Sequence, residues 1–328
     1  MINICLFGAG RIGAIHAANV ANHPQANLRY IVDLFAESAQ KLADTYGGKV
    51  TSVAAAMADP EVHAVIIASP TDTHADLIEQ AAAAGIAIFC EKPIDLSAER
   101  TRTCLEFIQK AGVTCLVGFN RRYDPNFSEV KAQINNAAIG DVEMVSITSR
   151  DPTPPPAQYV QSSGGLFRDM MIHDLDMARW LLGEEPNEVF ATASCLIDPE
   201  IGANGDVDTA LVTLKTPSGK LCQISNSRRA AYGYDQRIEV LGSKGMAQAE
   251  NQLESTVVIT TDEGATSAKP QHFFLERYAA AYQVELNNFI RSVQGEEQPL
   301  ATEHDGLMAL VLADAAVESA RTGQVVKL

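Results

Sequence analysis

The chain begins with the stretch Ile2–Gly13, which reads Ile-Asn-Ile-Cys-Leu-Phe-Gly-Ala-Gly-Arg-Ile-Gly. Its first six residues are mostly apolar and are typical of a buried parallel β-strand. An alanine-rich helical pattern then runs to about Asn22. A strand that enters a helix through Gly-x-Gly-x-x-Gly is the arrangement that binds dinucleotides, because free N–H groups at the helix start face the pyrophosphate. The stretch therefore predicts a Rossmann domain.

Each glycine of this motif has a separate role. Gly8 allows the tight turn, Gly10 lets the backbone approach the pyrophosphate, and Gly13 lets the helix pack on the strand. The next predicted strand, Leu28–Val32, is followed by Asp33, an acid where the adenosine ribose would bind. Its charge would repel a 2′-phosphate and no arginine follows it, so NAD is expected rather than NADP. The expected cofactor contacts of this region are Gly8, Gly10, Arg11, Ile12, Gly13 and Asp33.

Strands and helices alternate through the rest of the first domain. Strand patterns lie at Val65–Ala68, Ile86–Cys90 and Thr114–Val117, and helical patterns lie at Ala75–Ala84 and Ser97–Ala111. This alternation predicts a doubly wound parallel sheet, whose ligands bind beyond the carboxyl ends of the strands. The polar residues predicted at that edge, and expected to contact the cofactor, are Thr71, His74, Glu91 and Lys92.

Lys92 is the most informative of these side chains. Because Pro93 follows it, its backbone is restricted to an extended conformation that directs the side chain from the strand end into the crevice. A solvated lysine is the alternative. For His74, the alternative is a surface histidine in the first turn of a helix.

A different pattern follows Arg122 and predicts a second domain, which divides the chain into residues 1–120 and 121–328. A helix is predicted at Asp124–Asn136 and a strand at Val142–Arg150. Alternating segments then predict an α+β domain with a large open sheet, mixed or antiparallel, with helices on one face. The strand segments are Val189–Ile197, Thr209–Leu214, Lys220–Asn226, Gln236–Leu241, Met246–Ala249 and Thr256–Thr260, with a hairpin turn at Gly242–Gly245 and closing helices at Arg277–Val293 and His304–Arg321.

The face of that sheet opposite the helices has to be buried, and association with other copies of the chain would bury it. We therefore expect a homo-oligomer, either a dimer or a tetramer. The proline-rich run Asp151–Pro156 can be neither helix nor central strand and is predicted as a stiff loop. Arg228 and Arg229 are expected to pair with acids across the sheet, with substrate binding as the less favoured alternative.

The stretch Ser163–Gly183 has the pattern of one buried helix, with a serine to cap its start and a glycine to stop it. Apolar residues surround it almost completely, yet Asp169 and His173 are four residues apart and therefore share a face, with Asp176 one turn further on. A carboxylate that orients an imidazole is the arrangement that a general base needs. Because a buried carboxylate is costly unless it is paired, a purely structural Asp–His pair is the alternative.

Composition narrows the classes of partner. The 328 residues carry a formal net charge of −16, with acids and bases mixed along the chain, which argues against nucleic acid and anionic membranes. The six cysteines and seven histidines show no metal-ligand spacing, so neither a metal nor disulfides are expected. No apolar run reaches about 18 residues, and the first residues do not resemble a signal peptide. We expect a cytoplasmic protein.

Three motifs in this order carry a family resemblance, namely Gly8-x-Gly10-x-x-Gly13, Glu91-Lys92-Pro93 and Asp169-x-x-x-His173. The chain resembles the Gfo/Idh/MocA oxidoreductases, which have a Rossmann domain followed by an α/β domain built on a large open sheet. The resemblance covers essentially the whole chain. Within that family it is most similar to the inositol 2-dehydrogenases, on the motifs Gly118–Asp124, Arg150–Pro152, Tyr232–Asp235 and Arg277–Tyr282.

The resemblance implies a reaction, which is NAD-dependent oxidation of a secondary hydroxyl of a cyclic polyol, with myo-inositol as the first candidate. In that reaction His173 matches the general acid/base that removes the hydroxyl proton, and Asp169 matches the carboxylate beside it. Lys92 matches the active-site lysine that stabilises the charge on the oxygen, and its bond to Pro93 is expected to be cis.

The resemblance also implies the substrate contacts. Arg121, Asp151 and Tyr234 match residues that line a polyol pocket, and Tyr282 is placed near the nicotinamide. Some inositol enzymes carry asparagine where Asp151 stands, which leaves the preferred stereoisomer open. Another inositol isomer, sugar or keto-sugar is one alternative, and a non-catalytic NAD-binding sugar sensor is another.

Overall fold

In the computed structural model of the protein, the chain divides into two units. The structure describes residues 1–328 except for three side chains of one short helix, those of Ala157, Gln158 and Gln161. The first unit comprises Met1–Tyr123 and Ala281–Leu310, and the second comprises Asp124–Ala280 and Val311–Leu328. Each unit therefore takes residues from two parts of the chain, where the sequence predicts one boundary near residue 120.

The first unit is built around a parallel sheet. Its strands are β1 (Ile2–Phe7), β2 (Ala26–Val32), β3 (Lys49–Val50), β4 (Ala64–Ile67), β5 (Ala87–Cys90) and β6 (Cys115–Val117). The helices between them are α1 (Arg11–Asn22), α2 (Ala36–Tyr46), α3 (Val53–Ala58), α4 (His74–Ala83) and α5 (Ala98–Ala111). The strands pair in parallel in the order β3-β2-β1-β4-β5-β6, which confirms the doubly wound sheet.

The predicted strands of this unit are confirmed to within two residues, because their apolar runs are buried on both faces of the sheet. Ile4, Leu6, Ile66 and Ile67 are all fully buried. Helices α2 and α3 and strand β3 were not predicted from the sequence. The sequence of α2 did carry a signal, because its buried residues Ala39, Leu42 and Ala43 recur at helical spacing.

The second unit contains a larger sheet and the remaining elements. In chain order these are α6 (Pro125–Asn135), β7 (Val142–Arg150), α7 (Ala157–Ser163), α8 (Ile172–Leu182), β8 (Glu188–Ser194), α9 (Pro199–Ala203), β9 (Thr209–Lys215), β10 (Leu221–Ser227), β11 (Asp235–Gly242), β12 (Gly245–Ala249), β13 (Val258–Thr261), β14 (Gly264–Ser267) and α10 (Phe274–Arg277). The chain closes with α11 (Ala279–Val293), α12 (Glu303–Thr322) and β15 (Val326–Lys327).

The strand order of this sheet is β12-β11-β7-β10-β9-β8-β15. Its β7–β10 pair is parallel and the other pairs are antiparallel, so the predicted open mixed sheet is confirmed. Helix α8 packs against β7 and β10, whose inward residues Val145 and Ile224 are fully buried. On the opposite face, Met144 and Leu221 are partly exposed.

The prediction of Thr256–Thr260 as a strand of this sheet is wrong. Val258–Thr261 pairs with Gly264–Ser267 in a separate hairpin, and all of these residues are exposed. A strand joins a large sheet when one of its faces can be buried. Here neither face of the hairpin strand is covered, so its apolar residues do not fix it against the sheet.

The prediction of one helix over Ser163–Gly183 is wrong in its first half. Ser163 ends α7, and a π-helical turn at Leu166–Met170 precedes α8. Gly164 and Gly165 break the helix between them, with left-handed φ values of 84° and 80°. The residue at the N-cap is therefore Gly165 rather than the serine. The predicted stop is confirmed, since Gly183 ends α8 with a φ of 64°.

The predicted helix Arg277–Val293 is interrupted at Tyr278, between α10 and α11. Tyr278 is 1% exposed, and the Arg277 guanidinium forms a buried ion pair with Asp124, the N-cap of α6. These tertiary contacts override the continuous helical pattern. His304–Arg321 is confirmed as α12.

Candidate active site

The glycine loop of the first unit has the geometry that its sequence predicts. Gly8 has a φ of 101°, and a Cβ there would lie 2.4 Å from the carbonyl oxygen of Ala68. A Cβ on Gly13 would lie 2.0 Å from the carbonyl oxygen of Gly8, so both positions exclude a side chain. A Cβ on Gly10 would meet no atom within 4 Å. The space beside Gly10, at the start of α1, is therefore open to a phosphate group.

Asp33 directly follows β2 and belongs to the same loop. Its Oδ2 accepts a hydrogen bond from the N–H of Ala9 at 2.6 Å, and its Oδ1 accepts one from the N–H of Phe35 at 2.8 Å. Each carboxylate oxygen has a second lone pair that can accept a ribose hydroxyl. Arg11 and Ile12 form the first turn of α1 beside the open space. The loop and its acid thus fit the NAD that the sequence predicts.

His74, the first residue of α4, is only 2% exposed, so the alternative of a surface histidine is wrong. Its Nδ1 lies 2.8 Å from the carbonyl oxygen of Pro93, and its Nε2 lies 2.8 Å from that of Ser69. Burial lowers the pKa of His74, so the ring is neutral near pH 7 and its single N–H donates to one carbonyl at a time. When that N–H is on Nδ1 and donates to the carbonyl oxygen of Pro93, it ties the start of α4 to the turn that carries Lys92.

Lys92 follows β5 and is half-buried. The Lys92–Pro93 peptide bond is cis, as the resemblance implies. Thr71 lies in the 3₁₀ turn Thr71–Thr73 and is also half-buried. The catalytic role of Lys92 and the cofactor contacts of Thr71 and His74 stay predictions.

Glu91, which precedes Lys92, has a partner that the sequence analysis missed. His16 of α1 is fully buried, and its Nε2 lies 2.7 Å from Oε1 of Glu91. The ring of His16 packs edge-on against Phe89 and Tyr282, at centroid distances of 4.9 and 5.9 Å. Tyr282 therefore lies close to the end of β5. In the sequence, His16 occupies one position of an alanine-rich helix, and only its place on the apolar face of that helix could have indicated a buried imidazole.

The second residue that the sequence analysis missed is Glu285 of α11, which is fully buried. Neither of its carboxyl oxygens has a hydrogen-bond partner among the described residues. Burial, with a smaller effect from the charge of Glu91, raises the pKa of Glu285 well above its ordinary value. The protonated, uncharged form of its carboxyl group is therefore favoured over the carboxylate. In the sequence, a buried acid was indicated by the fact that Glu285 occupies an apolar position of the helical pattern, one turn after Tyr282.

The second unit holds the other predicted catalytic residues. Asp169 lies in the π-helical turn, and His173 lies half-buried in the first turn of α8. The hydroxyl of Tyr159 donates a hydrogen bond to Oδ1 of Asp169 at 3.2 Å. Nη2 of Arg228 lies 3.5 Å from Oδ2 of the same carboxylate, which confirms that Arg228 pairs with an acid. Asp176, further along the helix, is buried beside Arg179 at 3.7 Å.

The parallel pair β7–β10 determines where Asp151 lies. Arg150 ends β7 and Ser227 ends β10, and the two residues are paired neighbours. The N–H of Asp151 donates to the carbonyl oxygen of Ser227 at 2.9 Å. Arg150 is also paired with Asp235, the first residue of β11. Three chain segments therefore meet at one edge of the sheet.

Tyr234 immediately precedes β11 and so lies at that edge. It is 6% exposed, and its ring packs edge-on against Phe273 and Tyr278 at centroid distances of 6.4 and 6.0 Å. Arg121 belongs to the first unit, where it is buried in the 3₁₀ turn Asn120–Tyr123. The second unit thus holds Asp151, Asp169, His173 and Tyr234, whereas the first unit holds Lys92, Arg121 and Tyr282.

Apart from the three undescribed side chains, the structure contains no group of three or more His, Cys, Asp or Glu side chains that could hold a metal ion. In the same described part of the chain, no helix is both long and apolar enough to cross a membrane. The cysteines are free thiols, and burial raises the pKa of Cys104 to about 12.

Comparison with known proteins gives two family matches that together span most of the chain. A model described as "Oxidoreductase family, NAD-binding Rossmann fold" matches residues 2–119. A model described as "Oxidoreductase family, C-terminal alpha/beta domain" matches residues 131–328. Both are models of the Gfo/Idh/MocA oxidoreductases.

Two curated relatives and one crystal structure are similar over nearly their whole length. An inositol 2-dehydrogenase of Rhizobium meliloti is 53% identical over 96% of this chain and 95% of its own. A myo-inositol 2-dehydrogenase of Thermotoga maritima is 45% identical over 100% of this chain and 98% of its own. A crystal structure of a myo-inositol dehydrogenase from Corynebacterium glutamicum matches with a TM-score of 0.96 and 45% identity, over 100% of this chain and 99% of that one.

The raised pKa of Glu285 predicts that the free energy of unfolding depends on pH. Because its pKa is higher in the folded than in the unfolded state, its contribution is full below about pH 4 and is lost as the pH rises toward the folded pKa. Glu285→Gln is neutral at every pH and removes this loss. In urea titrations followed by circular dichroism, the gain of the variant over the wild type should grow by about 1.4 kcal/mol per pH unit across that range.

The control for this experiment is Glu106→Gln, which neutralises an exposed acid of α5. Its difference from the wild type should stay nearly constant between pH 5 and pH 8, since solvent surrounds this side chain in the folded as well as the unfolded state. A Glu285→Gln difference that is equally flat would contradict a protonated carboxyl group at this position.

Proposed function

The chain belongs to the Gfo/Idh/MocA family of oxidoreductases, and from that membership we propose that it oxidises a secondary hydroxyl of a cyclic polyol with NAD+. The substrate we propose is myo-inositol, and the product is 2-keto-myo-inositol. The observation that carries this proposal is the identity of 53% and 45% to two inositol 2-dehydrogenases over nearly the full length of each chain. The reaction removes a proton from the oxygen and a hydride from the carbon of one hydroxyl-bearing centre.

The proposed chemistry assigns one task to each predicted catalytic residue. Bound NAD+ supplies the hydride acceptor at C4 of its nicotinamide. His173 accepts the hydroxyl proton as general base, and Asp169 orients its imidazole. Lys92 provides a cationic N–H that stabilises the developing charge on the oxygen. The hydrogen bond that the Tyr159 hydroxyl donates to Oδ1 of Asp169 supports this assignment, since it fixes one oxygen of the carboxylate.

The polyol hydroxyls are assigned to Arg121, Asp151 and Tyr234. Support for the last two comes from their place at the sheet edge near which Asp169 contacts Arg228. An acid at Asp151 accepts hydrogen bonds from hydroxyls but cannot donate any when ionised, whereas asparagine can do both. This difference makes Asp151 the residue on which the choice of inositol isomer depends.

We also propose that the chain forms a homo-oligomer, a dimer or a tetramer, through the face of the large sheet opposite α8. Met246, Leu241, Met144 and Leu221 are register neighbours on four adjacent strands, and each is 36–49% exposed. A continuous row of exposed apolar side chains is typical of an interface. The free thiols, five of them buried, support a reducing compartment, and we place the protein in the cytoplasm.

The substrate assignment is tested by initial rates of NAD+ reduction at alkaline pH. The panel is myo-inositol, scyllo-inositol, D-chiro-inositol, glucose and xylose, repeated with NADP+. We expect the highest kcat/KM with myo-inositol and NAD+, because Asp33 repels a 2′-phosphate. Activity with a different polyol and none with myo-inositol would change the substrate assignment and point to Asp151 as the residue responsible. No activity with any substrate of the panel, together with NADH binding detected by fluorescence, would support a sugar sensor instead of an enzyme.

The proton-transfer role is tested by His173→Ala. Loss of a general base lowers kcat by about 10²- to 10⁴-fold, whereas binding of NADH, followed by fluorescence, should be unchanged. The control is His304→Ala, which removes an exposed histidine at the start of α12 and should keep wild-type turnover. Near-normal turnover of the His173 variant would refute the assignment.

The oligomer is tested by light scattering at micromolar concentration. The wild type should show a mass of two or four chains of 35.2 kDa. Met144→Glu should shift the mass toward one chain, because it places a charge in the apolar row. Phe107→Glu changes an equally exposed apolar residue of α5 and should leave the mass unchanged. A monodisperse wild-type monomer would refute this proposal.

A further inference from the structure

Arg228, the residue that follows β10, is buried although arginine is rarely found inside proteins. Only 2% of it is exposed. Its Nη2 lies 3.5 Å from Oδ2 of Asp169 and 4.0 Å from Oδ2 of Asp206. The guanidinium group therefore lies between two carboxylates, one of which belongs to the proposed catalytic pair.

Asp206 also holds the helix that carries Asp169. Both of its oxygens lie 3.0 Å from the N–H of Leu166, the first residue of the π-helical turn. Gly165 permits this approach, because a Cβ there would lie 2.5 Å from Oδ1 of Asp206. Asp206 therefore fixes the backbone of the turn, while Arg228 faces the side chain of Asp169.

Arg228 acts on Asp169 by charge more than by a directed bond. Its Nε and Nη2 atoms are buried and make no hydrogen bond to any described residue. Its backbone is fixed, since its N–H donates to the carbonyl oxygen of Asp208 at 2.8 Å. A buried cation that makes no hydrogen bond through these atoms still stabilises a neighbouring carboxylate, because solvent screens the two charges only weakly where 2% of one side chain and 16% of the other are exposed.

We propose that Arg228 is a positioning residue of the reaction, which balances the charge of Asp169 and thereby sets the pH at which His173 can accept a proton. This inference rests on the proposed roles of Asp169 and His173. An ionised Asp169 favours the protonated imidazole, and a cation beside Asp169 reduces that effect. Arg228 therefore keeps the imidazole available as a base at lower pH.

The charged groups around this pair include several with partners of their own. Tyr159 from α7 and Asp206 from the segment after α9 face Asp169 and Arg228 directly. Arg168 beside Asp169 is paired with Asp314 at 2.7 Å. Asp174 accepts a hydrogen bond from Asn226 at 3.0 Å. Arg228 lies between Asp169 and Asp206, so removing the cation and removing the second acid change the charge around Asp169 in opposite directions.

The experiment compares two variants that change the charge in opposite directions. Arg228→Gln removes the cation, so the pH at which kcat reaches half its plateau should rise by about one unit, with about a tenfold lower kcat below that pH. Asp206→Asn removes a competing anion but keeps an oxygen for the N–H of Leu166, so the same midpoint should fall. The KM for NAD+ should stay unchanged in both variants. A structural defect alone would not move the midpoint in opposite directions.

Two further variants complete the test, which uses the full chain and the polyol that the panel identifies. Arg228→Lys keeps the charge and should restore the wild-type midpoint. Arg229→Gln removes an exposed cation from the next residue and should not move the midpoint, because solvent screens it. Thermal denaturation by circular dichroism checks that each variant folds; if Arg228→Gln does not fold, the direction of the Asp206→Asn shift decides.

Unchanged midpoints in Arg228→Gln and Asp206→Asn, or shifts in the same direction, would overturn this inference. Its failure is distinguishable from failure of the proposed function. If the wild type reduces NAD+ and His173→Ala does not, then unchanged midpoints refute only the role of Arg228. If His173→Ala remains active, the proposed base itself is wrong and the role of Arg228 falls with it.

Discussion

The parallel pairing of β7 with β10 determines where the functional residues of the second unit lie. Because the two strands end at the same edge, the residues that follow them, Asp151 and Arg228, leave the sheet side by side. β11 runs antiparallel to β7 and therefore begins at that edge, directly after Tyr234. If β10 instead ran antiparallel to β7, its last residue would lie at the opposite edge. One parallel pair in an otherwise antiparallel sheet thus collects the three segments.

The segment before β9 is held by two carboxylates with different tasks, the half-buried Asp206 and the buried Asp208. Burial alone would raise the pKa of Asp208, but hydrogen bonds from the N–H groups of residues 196–198 outweigh it and lower that pKa. Asp208 therefore fixes its own loop. Asp206, two residues earlier, binds the start of the π-helical turn instead. Local backbone hydrogen bonds thus position Asp206, and through it the turn that contains Asp169.

The sequence predicted the parts of the fold that depend on local pattern. The glycine loop, the acid after β2 and the apolar strands of the first unit require only neighbours in sequence, and the structure confirms them. The π-helical turn was not predictable from apolar periodicity, because two left-handed glycines changed the helix within an apolar pattern. His16 and Glu285 were missed for another reason. Their environment depends on Glu91, which lies far from both in sequence.

Two buried arginines of the second unit differ in their distance from the carboxylates beside them. This difference distinguishes an ion pair that fixes the structure from a charge that alters the protonation of a neighbouring group. Arg277 forms a close hydrogen-bonded ion pair with Asp124 at the cap of α6, and its guanidinium lies over the rings of Phe127 and Tyr278 at 5.1 and 4.9 Å. Both Nη atoms face Asp124 and the guanidinium plane stacks on two rings, so this pair fixes one geometry and costs several kcal/mol to break.

Arg228 is equally buried but shares its charge between two acids at 3.5 and 4.0 Å, distances too long for strong hydrogen bonds. A pair of that kind contributes less to a unique geometry, because neither acid is held in a fixed direction by it. Its electrostatic effect on Asp169 nevertheless persists, since charge interactions fall off slowly with distance where solvent is excluded. The longer contact of Arg228 is therefore suited to set the protonation of a neighbouring group. The shorter contact of Arg277 is suited to fix the position of the backbone.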